Sequence, residues 1–88
     1  MQIRDGFLLR EVAGNFVVVA IGDDVLDFNA VITVNELGAT IWHGIEDRKD
    51  KAQIVEEILT EYDIDKETVS NDFDEFISQL KSNNIITD

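Results

Sequence analysis

The sequence contains no cysteine and no proline, and only one of its 88 residues is histidine. Without cysteine there is no disulfide, no thiolate nucleophile and no cysteine-based zinc site. Without proline, no ring breaks an element from within. Cations are also scarce: seven Lys and Arg stand against nineteen Asp and Glu, for a formal net charge of −12. Nucleic-acid binders draw most of their affinity from Lys and Arg set against phosphates. Here the few cations are scattered, apart from Arg48, Lys49 and Lys51. Nucleic acid and anionic membranes are therefore expected not to be partners. No apolar run approaches the roughly 20 residues that cross a bilayer. The opening MQIRDGFLLREVAG lacks the features of a secretion signal. The expectation is a cytoplasmic protein.

Recognisable catalytic constellations are missing as well. His43, alone and set away from the Leu37–Ile41 helical face, reads as a surface residue rather than a ligand or base. No serine or threonine lies in a Gly-x-Ser-x-Gly context, and no glycine-rich loop cradles phosphate. Asp23, Asp24 and Asp27 lack the distal Glu of a calcium loop. Trp42, Phe73 and Phe76 read as core rather than as a cofactor stack. The chain is expected to be no enzyme and to carry no metal or cofactor.

What is present is a well-patterned core. Hydrophobic residues make up 44% of the chain and charged residues 30%, the balance of a globular protein. At this length, residues 1–88 are expected to form one domain. The chain centres on Ala30 to Trp42, AVITVNELGATIW. Ala30, Ile32 and Val34 alternate with Val31 and Thr33, the period of a half-buried strand. Asn35 can cap a helix that begins at once, and Glu36 suits its positive end. Leu37, Ile41 and Ile45 share one face of that helix, with Trp42 at its margin. Gly38 inside it permits a close approach by a neighbouring element.

Upstream, Met1 to Gly6 reads as a loose lead-in. Phe7 to Val12 and Phe16 to Ile21 read as strands joined by a tight Gly14-Asn15 turn. Val25 to Asn29 is an irregular link to the third strand, Ala30 to Val34. Connections this short make the sheet an antiparallel meander. Downstream, Asp50 and Gln53 form a capping box for a second helix carrying Ile54, Val55, Ile58, Leu59 and Tyr62. Asp65 caps a third, with Val69, Phe73, Phe76, Ile77 and Leu80 at helical spacing. That helix is expected to fray at Ser82-Asn83-Asn84, with Ile85 and Ile86 as an extended tail packing back. The fold class is α+β: a winged helix–turn–helix with a three-stranded antiparallel sheet followed by three helices.

The run from Asp27 to Trp42, DFNAVITVNELGATIW, resembles the signature of the PqqD-like family, whose modules are called RiPP recognition elements. Ile54 to Leu59 with Tyr62 to Asp65, and Asp72 to Phe76 with Leu80 and Ile85, also match that pattern. The motifs are degenerate singly, but their order and spacing over Phe7 to Ile86 are specific. Val34 and Leu37 depart from the family's Leu and its small or polar residue, which bears on what is bound. The resemblance implies a peptide chaperone that binds the leader segment of a ribosomally made precursor peptide. Such a chaperone presents the peptide to a modifying enzyme, a radical-SAM maturase or a lasso-type protease–cyclase. It also implies that the leader adds as a strand beside Val31, Ile32, Thr33 and Val34 and packs on Val69, Asp72, Phe73, Phe76 and Ile77. A three-stranded meander has an edge fit for such addition. Two other readings stay open on the residues themselves. One is an acidic winged-helix adaptor or atypical transcription regulator; the other is the orphan domain of an enzyme.

Overall fold

The computed structural model describes residues 1–20 and 32–87. Their elements run β1 (Gln2–Ile3), β2 (Phe7–Val12), β3 (Asn15–Ala20), β4 (Ile32–Val34), α1 (Glu36–Glu46), α2 (Lys51–Glu61), α3 (Lys66–Ser82) and β5 (Ile86–Thr87). β2, β3 and β4 form an antiparallel sheet in that order, so β2 and β4 are its two edges. The three helices follow, which is the winged-helix arrangement expected. Val25 to Asn29, Ile21, Ala30 and Val31 lie outside the described residues.

Three local features differ from the sequence reading. Met1 to Gly6 is not loose throughout: β1 pairs antiparallel with β5, Gln2 opposite Thr87 and Ile3 opposite Ile86. The hairpin turn is Ala13-Gly14 rather than Gly14-Asn15, and Val12 lies opposite Asn15. Both turn residues have positive φ, 52° at Ala13 and 83° at Gly14, as a two-residue turn of the primed type requires. Finally, α3 ends in a defined motif instead of fraying. Asn84 takes φ 57°, its N–H donates to Lys81 O, and Ile85 N–H donates to Leu80 O. These two hydrogen bonds satisfy two orphan carbonyls and turn the chain toward β5.

The helices start where their caps predict. Asn35 Oδ1 accepts from Gly38 N–H at 2.7 Å. The Asp50–Gln53 capping box closes in both directions, at 2.8 Å and 3.0 Å. The Asp65 carboxylate accepts from the Thr68 hydroxyl at 2.7 Å and from its N–H at 3.1 Å. Those two bonds hold the Asp65 pKa below its ordinary value.

The core lies between the sheet and the helices. Trp42, expected at the margin of α1, is fully buried beside Ile41, Ile54, Ile58, Val69 and Leu80. Val18, Ile32 and Val34 bring the sheet into the same cluster, with Phe7, Leu9 and Phe16 packed against it. Burying each such side chain stabilises by roughly 1.5–3 kcal/mol. Tyr62 OH reaches Glu36 Oε1 at 3.3 Å and Thr40 Oγ1 at 3.4 Å, tying the end of α2 to the start of α1. Lys51 bonds Asp74 at 2.9 Å and lies 5.7 Å from the centre of the Phe73 ring, tying α2 to α3. Among the described residues, no helix is long and apolar enough to cross a membrane.

Candidate functional site: a groove between an edge strand and a helix

β4 gives way to α1 through Asn35 alone, whose extended backbone (φ −80°, ψ 175°) lets the cap form directly after the strand. Gly38 makes this tight junction possible. A Cβ there would lie 2.5 Å from Val34 Cγ1 and 3.5 Å from Phe76 Cε1, so any side chain would force Val34 aside. The close approach expected at Gly38 is therefore between α1, the last residue of β4 and one ring of α3.

Between β4 and α3 runs a groove of about 230 Å³. Thr33, Val34 and Asn35 form one wall, Leu37, Gly38 and Ile41 of α1 contribute to the floor, and Asp72, Glu75, Phe76 and Gln79 of α3 form the other wall. The α3 residues fall at i, i+3, i+4 and i+7, one helical stripe. A larger concavity of about 620 Å³ lies between residues 1–7 and the α1–α2 loop. It has mixed charge, with Arg4, Arg48 and Lys49 among Asp5, Glu46 and Asp50, and the sheet edge at β4 does not enter it.

The hairpin fixes which way the β4 backbone faces. In a two-residue primed turn the flanking pair, here Val12 and Asn15, exchanges both of its backbone hydrogen bonds. Bonded and non-bonded pairs then alternate along the ladder. Asn15, Val17 and Val19 accordingly bond to β2, while Phe16 and Val18 bond to β4. Phe16 faces Val34 and Val18 faces Ile32. Ile32 and Val34 thus spend their backbone groups inward, and Thr33 directs its N–H and C=O outward, away from β3. The side chains alternate between the sheet's faces, with Ile32 and Val34 buried and Thr33 exposed.

The residues singled out from sequence separate into two groups. Thr33, Val34, Asp72 and Phe76 come together in the groove. Ile32, Val69, Phe73 and Ile77 turn into the core, with Val69 at 0% exposure and Phe73 at 3%. Phe76, 9% exposed, serves both. Val31 lies outside the described residues. Sequence reasoning did not single out Leu37, Ile41, Glu75 or Gln79 for the groove; the signal was the i, i+3, i+4, i+7 spacing from Asp72 through Phe76. His43 stands at the surface, its Nδ1 3.0 Å from Glu46 Oε1. Among the described residues, no three His, Asp or Glu side chains are grouped to hold a metal.

A model of the family described as coenzyme PQQ synthesis protein D (PqqD) matches residues 15–86, most of the chain. The chain belongs to the PqqD family. Comparison with curated proteins finds no match. Two solved structures have the same fold as this PqqD-family chain. One is TbiB1 in complex with the TbiA(beta) leader peptide, at TM-score 0.77 and 24% identity, covering 100% of each chain. The other is a lasso peptide synthetase B1 complexed with the leader peptide, at TM-score 0.78 and 16% identity, covering 99% of this chain and 96% of that one. At such identities the likeness speaks for the fold of the PqqD-family module.

Proposed function

We propose that this PqqD-family chain is a non-catalytic peptide chaperone. It binds the leader segment of a ribosomally synthesised precursor as an added strand on β4, against α3, and presents the peptide to a modifying enzyme. The observation that carries the reading is the outward-facing backbone of Thr33 opposite the α3 wall. Among the described residues its N–H and C=O have no partner, and they stand beside a groove with an apolar floor. Strand addition takes its affinity from such backbone groups and its specificity from adjacent pockets. The two structural neighbours were solved with leader peptides bound, which supports the same ligand class here. The modifying enzyme is of radical-SAM or lasso protease–cyclase type, working in the cytoplasm on a precursor bound by this single domain. A transcription-regulator role is disfavoured because α3, the helix such a fold would set in a DNA groove, carries Glu67, Asp72, Asp74 and Glu75 against Lys66 and Lys81.

The test is Thr33→Pro. Proline removes the outward N–H and leaves every inward ladder bond of β4 in place. Calorimetric titration of a leader peptide should show at least tenfold weaker binding, with a thermal melt close to that of the native chain. Equal affinity in the two proteins would place the ligand elsewhere.

A further inference from the structure

The charge of the groove is one-sided. Its lining includes two carboxylates, Asp72 and Glu75, and no Lys, Arg or His. Two acidic residues elsewhere on the helices pair with lysines: Lys49 Nζ lies 2.6 Å from Glu57 and Lys51 Nζ 2.9 Å from Asp74. Among the described residues, Asp72 and Glu75 have no such partner, and residues 21–31 and 88 contain no Lys, Arg or His. The two carboxylates are also three residues apart on one helix, a like-charge spacing that opposes helix formation. Set in the groove wall beside Phe76 with no cation in the lining, the two carboxylates are complementary to a cationic ligand group.

Resting on the strand-addition reading above, we infer that the peptide seated in this groove carries a Lys or Arg side chain. That side chain lies against Asp72 and Glu75, next to an apolar residue that packs on Phe76 and Leu37. Backbone pairing at Thr33 is blind to sequence, so these two contacts select the peptide. The net charge of −12 adds steering: a cationic segment is drawn toward the chain and an anionic one repelled. Partial enclosure between β4 and α3 makes the pairing stronger than an open surface contact.

The probe is a display library of short random peptides panned against the whole chain at low salt. Selected peptides should be enriched in Lys or Arg beside an aliphatic or aromatic residue. A representative peptide should bind roughly tenfold more weakly to the Asp72→Asn, Glu75→Gln double variant. Its affinity should fall with added salt in the native chain and change less in the variant. The matched control is Glu61→Gln with Glu67→Gln, the same change of charge outside the groove, which should leave affinity near the native value. A control loss as large as that of the groove variant would mean overall charge alone, and would overturn the inference. So would selected peptides without cation enrichment that bind both groove forms equally. If those cation-poor peptides still lose affinity on Thr33→Pro, strand addition stands while the basic requirement falls. Selected peptides indifferent to Thr33→Pro would overturn strand addition itself.

Discussion

β2 and β4 are the two edges of one sheet, and β4 borders the groove between sheet and α3. β2 has six residues and ends in Arg10, Glu11 and Val12, all exposed. β4 has three residues in a buried–exposed–buried pattern and passes straight into α1. Both present outward backbone groups, since the alternation that aims Thr33 outward aims Leu9 and Glu11 outward on β2. The difference lies opposite each edge. Facing β4 across the groove stands α3, which supplies Asp72, Glu75, Phe76 and Gln79. The outer edge of β2 bears charged side chains, which natural sheets use to discourage pairing. Outward-facing backbone groups are therefore common to both edges; the α3 wall makes β4 the candidate site.

The largest effect should come from disturbing the paired side of β4. Val34→Pro deletes an inward N–H, leaves Phe16 O without its partner and replaces a 5% exposed valine. An orphaned buried acceptor and a mispacked core residue together cost roughly 2–4 kcal/mol. In a chain of this size that lowers Tm by about 10–20 °C. Thermal melts of Val34→Pro and Thr33→Pro measured together check the parity. A stable Val34→Pro beside an unfolded Thr33→Pro would reverse it and remove the distinction between the two sides of the strand.

A smaller effect is expected at the junction that holds β4 against α1. Gly38→Ala introduces a Cβ 2.5 Å from Val34 Cγ1, so Val34 must shift. Overpacking of this kind costs about 1–3 kcal/mol. Because Val34 and Phe76 are both groove residues, peptide affinity should fall with stability. Gly44→Ala gives the contrast: its Cβ would meet Ile54 at 2.6 Å, in the contact between α1 and α2. It should destabilise comparably and leave the affinity of the folded fraction unchanged. Melts and calorimetry on the pair would separate the two, and equal affinity losses would show that stability alone governs binding.

The sequence made the same distinction only in part. The caps at Asn35, Asp50 and Asp65 were legible because each depends on one side chain and an N–H three residues on. The order of strands and helices was legible from periodicity. β1 was not, since two-residue strands carry no period and its partner lies at the other end of the chain. The turn was misplaced by one residue because alanine resists positive φ; the register of the whole hairpin nevertheless places Ala13 there. On α3 the apolar stripe Val69, Phe73, Ile77 is the conspicuous one, and it faces the core. The groove stripe is rotated from it, mostly polar, and announced by Asp72 and Phe76 alone. Hydrophobic pattern identifies what is buried in the folded chain. It does not mark a surface whose apolar content is shared with a ligand.

The smallest effect should come from the other edge, and it decides whether the comparison holds. Glu11 lies opposite Phe16 in a pair that, by the same alternation, exchanges no ladder bonds. Its N–H points away from β3, and its side chain is exposed. Glu11→Pro therefore removes a donor from an edge just as Thr33→Pro does, at a position where proline is tolerated in sheets. Stability should change by less than about 1 kcal/mol, and affinity for a leader peptide should match that of the native chain. Both variants remove an outward N–H, from opposite edges of the sheet. If Glu11→Pro weakened binding as much as Thr33→Pro, either edge would accept the peptide, and the α3 wall would not be what selects β4. If Glu11→Pro unfolded the chain, the bonded and non-bonded pairs would be exchanged along the hairpin. The assignment of Thr33 as the outward residue would fall with it.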